Sequence, residues 1–205
     1  MKTDPLLIET IRISRGRVKN IKYHNARCNH ARKVLFGKTK PINLRTQIKS
    51  ALPEHDEVKC RISYDGQVRK VEYEPYTLRQ IKFLKAIEVG DYNYTFKYKD
   101  REKLRFYFEQ RGEADDVLLL KNGYLTDTSY ANVALQKEGR WYTPKQPLLH
   151  GTARARLIGK KLIQEKDIHI RHIDQYDKMT IFNAMLPFGK MFIEISNVDC
   201  SQVMA

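Results

Sequence analysis

The sequence predicts a fold that mixes antiparallel strands with helices, and three observations carry that prediction. Between residues 115 and 154, three apolar runs are separated by Asn122-Gly123 and Glu138-Gly139, turn pairs that favour positive φ and suit tight hairpins. A Pro-rich loop follows, and then HGTARARLIGKKLIQE opens a helical pattern at Gly151 with small residues whose backbone N–H groups can hold an anion. Near the start, Tyr23, Arg27, Ala31, Val34 and Leu35 recur at helical spacing, and Gly37 is placed to stop that helix.

Taken in order, residues 6–13 (LLIETIRI) form a strand-like run broken by the SRGR turn signal at 14–17. After the first helix, a second is expected over residues 43–52, ended by Pro53, which cannot continue it. VKCRISYDGQVRKVEYEPY alternates as a hairpin around Asp65-Gly66, and RQIKFLKAIEV forms a further strand or short helix. The stretch from Tyr92 starts strand-like and becomes a helix with Leu104, Tyr107 and Phe108 on one side. Beyond Gly151, IHIRHIDQY alternates, and two more strand-like runs flank Pro187-Phe188-Gly189. Gly90-Asp91 is the expected boundary between a small N-terminal domain, 1–90, and a larger C-terminal one, 91–205.

Hydrophobic content of 41% with 30% charged residues over 205 positions is that of a globular protein. No apolar run approaches the roughly 20 residues a membrane helix needs, and the first residues lead straight into a strand, so a cytoplasmic protein is expected. Cys28, Cys60 and Cys200 are scattered and odd in number, which predicts free thiols. His169 and His172 have no Cys or acidic partner at ligand spacing, so they are expected at the surface and no metal site is expected. The net charge of +14 is a footprint nucleic-acid binders share, yet the basic residues are spread along the chain with no nucleic-acid motif. Attraction of anionic substrates accounts for it without a nucleic-acid partner.

NGYLTDTSYAN (122–132), Thr143-Pro144 and LLHGTAR (148–154) stand in an order and spacing that resemble aminotransferase class IV. That family of pyridoxal-phosphate enzymes holds branched-chain and D-amino acid aminotransferases and 4-amino-4-deoxychorismate lyase. The resemblance implies an α+β protein of two domains, D-amino acid aminotransferase-like and of fold type IV. It further implies pyridoxal 5'-phosphate in the cleft between the domains, a small amino substrate, and a homodimer whose partner helps close the site.

Roles follow residue by residue. FKYKDR resembles the catalytic-lysine segment, which makes Lys97 the cofactor's anchor, with Lys99 as its rival. Such a lysine, freed when a substrate amine takes its place, serves as acid and base beside the substrate carbon. HNAR resembles the family's H-x-x-R, so Arg27 maps onto the phosphate clamp, a task that suits a guanidinium fork; a solvated helix arginine is the plain alternative. His24 is expected to be structural and His30 to face solvent. Asp127, where the family usually has Glu, is the candidate acid for the pyridine nitrogen, and the N–H groups of Thr152 and Ala153 complete the phosphate cup. Ser129 and Asn132 carry over as cofactor-binding residues that could equally serve turn and strand hydrogen bonds.

The ETIR match places Glu9 and Thr10 at the cofactor's edge, and lyase relatives use a threonine at the Thr10 position to move a proton. An ordinary strand threonine is the alternative. Asn183 resembles the asparagine bordering the substrate pocket, or else is a core asparagine with satisfied hydrogen bonds. Larger relatives carry a Gly- and Arg-rich segment for substrate carboxylates that RISYDGQ does not match. The favoured activity is a 4-amino-4-deoxychorismate lyase-like release of pyruvate, ahead of an amino acid aminotransferase and, more remotely, a basic binding protein without catalysis.

Overall fold

The computed structural model describes residues 4–49 and 56–203, which form two compact units. One holds the described residues up to Leu78 together with Phe96–Asp100; the other holds Arg79–Thr95 and the described residues from Arg101 onward.

In the N-terminal unit, β1 (Leu7–Ser14) turns through Arg15 and Gly16 into the short β2 (Arg17–Val18), and α1 (Ile21–Phe36) follows. A 3-10 helix spans Leu44–Gln47, and β3 (Glu57–Tyr64) and β4 (Val68–Pro75) form the expected hairpin. The sheet order is β2-β1-β3-β4, all antiparallel. One face packs under α1, where Leu7, Ile11, Ile13, Cys28, Ala31 and Ile62 form a core. Each of the leucine and isoleucine side chains among them contributes about 1.5–3 kcal/mol on burial. The other face carries Thr10, Arg12, Lys59, Arg61, Glu72 and Glu74, alternating with the core residues as the pleat requires.

Two local expectations change here. The buried face of α1 is His24, Cys28, Ala31 and Arg32, rotated from the expected stripe, and Val34 is exposed. The rotation follows from partners the sequence does not display: His24 bonds Glu9, while Arg32 donates to the Gly66 and Lys40 carbonyls and to Asn29. The helix expected over 43–52 is reduced to its 3-10 turn, capped by the Asn43 side chain, and its last residues lie outside the described ones.

In the C-terminal unit, β5 (Leu84–Glu88) pairs in parallel with β6 (Asp116–Lys121), with α2 (Glu102–Glu109) between them in sequence. Then come β7 (Tyr124–Thr128), β8 (Asn132–Lys137), β9 (Arg140–Pro144), α3 (Thr152–Gly159), β10 (Gln164–Lys166), β11 (Lys178–Phe182), β12 (Phe192–Ile193) and β13 (Val198–Asp199). They make a nine-stranded sheet ordered β10-β9-β8-β7-β6-β5-β13, with β11 on β8 and β12 on β11. The unit boundary falls before residue 90 because β5 bonds β6 and β13. Both hairpin turns have the double positive φ that Asn122-Gly123 and Glu138-Gly139 predict.

The middle apolar run is two strands. The Thr128 hydroxyl accepts from the Ala131 N–H at 3.1 Å, and Thr128 N–H donates to the Ala131 carbonyl, folding 128–131 into a turn. IHIRHIDQY is not a strand either: Ile170–Gln175 form a 3-10 helix started by His169, whose Nδ1 accepts from the Arg171 N–H. His169 is half-buried rather than at the surface, edge-on to Tyr124, and lines a cavity of about 420 Å³ with His172, Lys166 and Arg171. Of the segment from Tyr92, only Tyr98 bridges to a strand, at Leu7. Cys28, Cys60 and Cys200 are free thiols, and burial pushes the first two up to about 12. Among the described residues no helix is long and apolar enough to cross a membrane, and no cluster of His, Cys, Asp and Glu could hold a metal.

Candidate active site

The predicted residues fall into one group in each unit. In the N-terminal unit, Glu9 is buried beneath α1 and accepts from His24 Nδ1 at 2.6 Å and from Arg27 Nε and Nη2 at 2.8 and 2.7 Å. Burial pushes the Glu9 carboxyl up, but the Arg27 charge and the hydrogen bonds from His24 and Arg27 outweigh it and bring it down to about 2. Arg27 is thus held against the Glu9 carboxylate through Nε and Nη2. Glu9 is closed over rather than facing a pocket, and its role in this geometry is to orient Arg27. His24 is structural, as expected, and His30 is exposed.

Residues 96–100 return to the open start of β1. Ile8 N–H donates to the Lys97 carbonyl at 2.9 Å and Lys99 N–H donates to the Leu6 carbonyl at 2.8 Å, with Leu7 opposite Tyr98. Directly opposed residues share a face. Tyr98 therefore joins Leu7 on the core side, while Lys97, opposite Ile8, lies on the face that carries Thr10. Lys97 is half-buried and Lys99 is exposed, which favours Lys97 as the functional amine. Glu9 and Arg27 meet on the helix side of β1, whereas Thr10 and Lys97 lie on the other.

In the C-terminal unit the second group is one hydrogen-bonded cluster. Asp127, 5% exposed, stands opposite Asn132 in register and accepts from its Nδ2 at 2.6 Å. The other Asp127 oxygen accepts from Leu149 N–H at 2.8 Å, and Asn132 Nδ2 also donates to the Leu149 carbonyl. Burial lifts the Asp127 carboxyl to about 6 against the pull of Leu149 N–H, Asn132 and the Arg154 charge. The cluster fixes the loop before α3, and a Cβ on Gly151 would fall 1.9 Å from Asn132 Oδ1. Thr152 and Ala153 are buried at the start of α3, which Gly151 begins without a side-chain cap. Ala153 and Leu157 pack on Ala134 and Phe182, which anchors that helix start against the sheet.

Ser129 and Asn183 lie apart from this cluster's carboxylate. Ser129 acts on Asp116, a second buried carboxyl that burial raises and the Ser129 hydroxyl lowers, and its carbonyl accepts from Arg101. Asn183 uses its side-chain oxygen for the N–H groups of Met185 and Leu186, both at 2.8 Å, and its amide for the Tyr130 carbonyl, so it shapes a turn. Arg154 was missed as an individual residue. It is buried, bonds the Pro144 carbonyl and Glu165, and its charge acts on Asp127; its only sequence signal was its place in LLHGTAR.

This arrangement fits pyridoxal phosphate. The groups that hydrogen-bond Asp127, Asn132 Nδ2 and Leu149 N–H, are neutral donors, so a cationic ring N–H would relieve the cost of its buried charge. The uncapped start of α3 suits a phosphate. A mixed, strand-rich fold with these groups defines a fold type IV enzyme. Residues 6–190 match the family described as amino-transferase class IV, and the chain belongs to that pyridoxal-phosphate-dependent family. It is 34% identical over 182 residues to an uncharacterized protein of Haemophilus influenzae, covering 87% of this chain and 97% of that one. A structure provisionally assigned as a 4-amino-4-deoxychorismate lyase, from Haemophilus somnus 129PT, is similar with a TM-score of 0.84 at 32% identity, over 91% of this chain and 99% of that one. A provisionally assigned aminodeoxychorismate lyase of Schizosaccharomyces pombe is 35% identical over 81 residues, 37% of this chain and 35% of that one.

Proposed function

We propose that this class IV enzyme is a 4-amino-4-deoxychorismate lyase, releasing pyruvate to leave 4-aminobenzoate. The observation that carries the reading is the register at the start of β1. Ile8 stands opposite Lys97, and Thr10 is the next residue on that face, so an amine and a hydroxyl issue from neighbouring positions. The provisional assignments of the H. somnus and S. pombe relatives support the same reaction.

When bound, pyridoxal 5'-phosphate supplies an electron sink for the substrate's carbanion. Lys97 Nζ would hold it, and the lysine amine would take the ring proton beside the substrate's amino group. The Thr10 hydroxyl passes a proton towards the departing enolpyruvyl group as its C–O bond to the ring breaks. Pyruvate and the aromatic amine are the products, atoms balance, and no second keto acid is needed. Asp127 keeps the ring nitrogen protonated, with Asn132 and Leu149 N–H orienting its carboxylate. Arg27 and the N–H groups of Thr152 and Ala153 hold the phosphate. In this reading the enzyme works in the cytoplasm as a homodimer.

The test offers aminodeoxychorismate alone and follows pyruvate and 4-aminobenzoate, then offers L- and D-amino acids alone and watches the cofactor's spectrum. Stoichiometric release of both products is expected. Conversion of the cofactor to its amine form by amino acids, with no pyruvate from aminodeoxychorismate, would replace the lyase by an aminotransferase.

A further inference from the structure

We infer that Arg61, with Ser63 beside it, forms a subsite for a carboxylate of the substrate on the face of the N-terminal sheet opposite α1. The inference rests on Lys97 being the reacting amine. In register, Ser63 stands opposite Ile8, and Ile8 stands opposite Lys97; one step along, Arg61 stands opposite Thr10. All four of Lys97, Thr10, Ser63 and Arg61 therefore belong to one face. With strands about 4.8 Å apart, Lys97 and the β3 residues are separated by roughly 10 Å along the backbone rows, a span their side chains and one small substrate fill.

Two polar atoms on this face have no hydrogen-bond partner: the buried Nε of Arg61 and the buried Oγ of Ser63. Buried donors are rarely left so, and two on alternate residues of one strand mark a place where an acceptor belongs. The tip of Arg61 reaches solvent, with its side chain 41% exposed, and its ion pair to Glu74 is loose at 3.6 Å, because Glu74 is held at 2.7 Å by Lys59. An exposed pair of that length contributes little. A planar carboxylate would meet both the fork and the orphaned Nε. This also explains how a chain without the Gly- and Arg-rich segment of larger relatives could recognise a substrate carboxylate.

The experiment measures binding to the pyridoxal-phosphate-loaded enzyme by isothermal titration, independently of turnover, with 4-aminobenzoate, pyruvate and, as the carboxylate-free probe, aniline. Arg61→Gln is expected to weaken the carboxylate that occupies the subsite by roughly 10- to 100-fold, the scale of a lost charged hydrogen bond, and to leave aniline unchanged. Ser63→Ala should weaken it by less, and Glu74→Gln should tighten it by freeing Arg61 from its competitor, an effect a merely structural arginine would not give. The cofactor's absorbance should be the same in all variants. Equal carboxylate affinities in wild type and Arg61→Gln, or no carboxylate binding to wild type, would overturn the subsite. Failure of the lyase reading is distinct: pyruvate release from aminodeoxychorismate would be absent while the Arg61 dependence of carboxylate binding persisted.

Discussion

Asn132 and Asp127 face each other in register across β8 and β7, and the amide donates to the carboxylate at 2.6 Å. Burial makes the ionised form of Asp127 the costly one and lifts its carboxyl from 3.8 to about 6, against the pull of Leu149 N–H, Asn132 and the Arg154 charge. The folded protein therefore keeps a proton that the unfolded chain gives up earlier. Stability of the cofactor-free protein should fall as pH rises from about 4 to about 6, by about 3 kcal/mol at most. Asp127→Asn should flatten that slope. Melting temperatures of both proteins across this window decide it, and parallel profiles would refute the assignment.

With cofactor bound, the same substitution should act on turnover. Asp127→Asn is expected to retain the cofactor and lose roughly 10²- to 10³-fold in kcat, the scale of removing one preorganised electrostatic partner. Steady-state kinetics at saturating cofactor would measure this, and near-normal turnover would exclude Asp127 as the ring-nitrogen acid.

Glu9 has the opposite sign. Its carboxyl is lowered from 4.5 to about 2, so its stabilisation is fully present above pH 4.5 and is lost as pH falls towards 2. Arg27→Ala strands a buried carboxylate against His24 and should cost about 3–5 kcal/mol, whereas Arg27→Ala in a Glu9→Gln background should cost clearly less. Denaturant unfolding of the three variants gives the coupling. Arg27→Ala should also weaken cofactor affinity before turnover; intact affinity with collapsed turnover would move Arg27 to substrate recognition.

Lys97 is expected to carry the cofactor. Borohydride reduction of the loaded enzyme followed by peptide mapping should place the label there and not on Lys99, which is exposed. Lys97→Ala should abolish labelling. A label on Lys99 would reassign the reacting amine.

Gly151→Ala tests the link between the acid and the phosphate cup. The new Cβ would lie 1.9 Å from Asn132 Oδ1, so Asn132 must move off Asp127 or the start of α3 must shift. Overpacking of this kind costs about 1–3 kcal/mol. Weaker cofactor binding together with a lower melting temperature is expected, and a variant unchanged in both would show that the cluster does not position α3.

The sequence by itself determined β1, the β3–β4 hairpin, the turns at Asn122-Gly123 and Glu138-Gly139, the start of α3 and the family. Asn122-Gly123 and Glu138-Gly139 act through their own backbone preferences, and the order of Asp127, Asn132, Thr143 and Arg154 is a linear fact. What needed the tertiary structure were partners distant along the chain. The buried face of α1 turned because His24 and Arg32 found Glu9 and the Gly66 carbonyl, which no local periodicity encodes. Within the alternating run IHIRHIDQY, Ile170–Gln175 curled into a 3-10 helix because the His169 side chain captured the Arg171 N–H. Likewise, only the pairing of residues 97–99 with β1, and of β1 with β3, sets Lys97, Thr10, Ser63 and Arg61 on one face. Face-sharing is decided by register, and register is a long-range property.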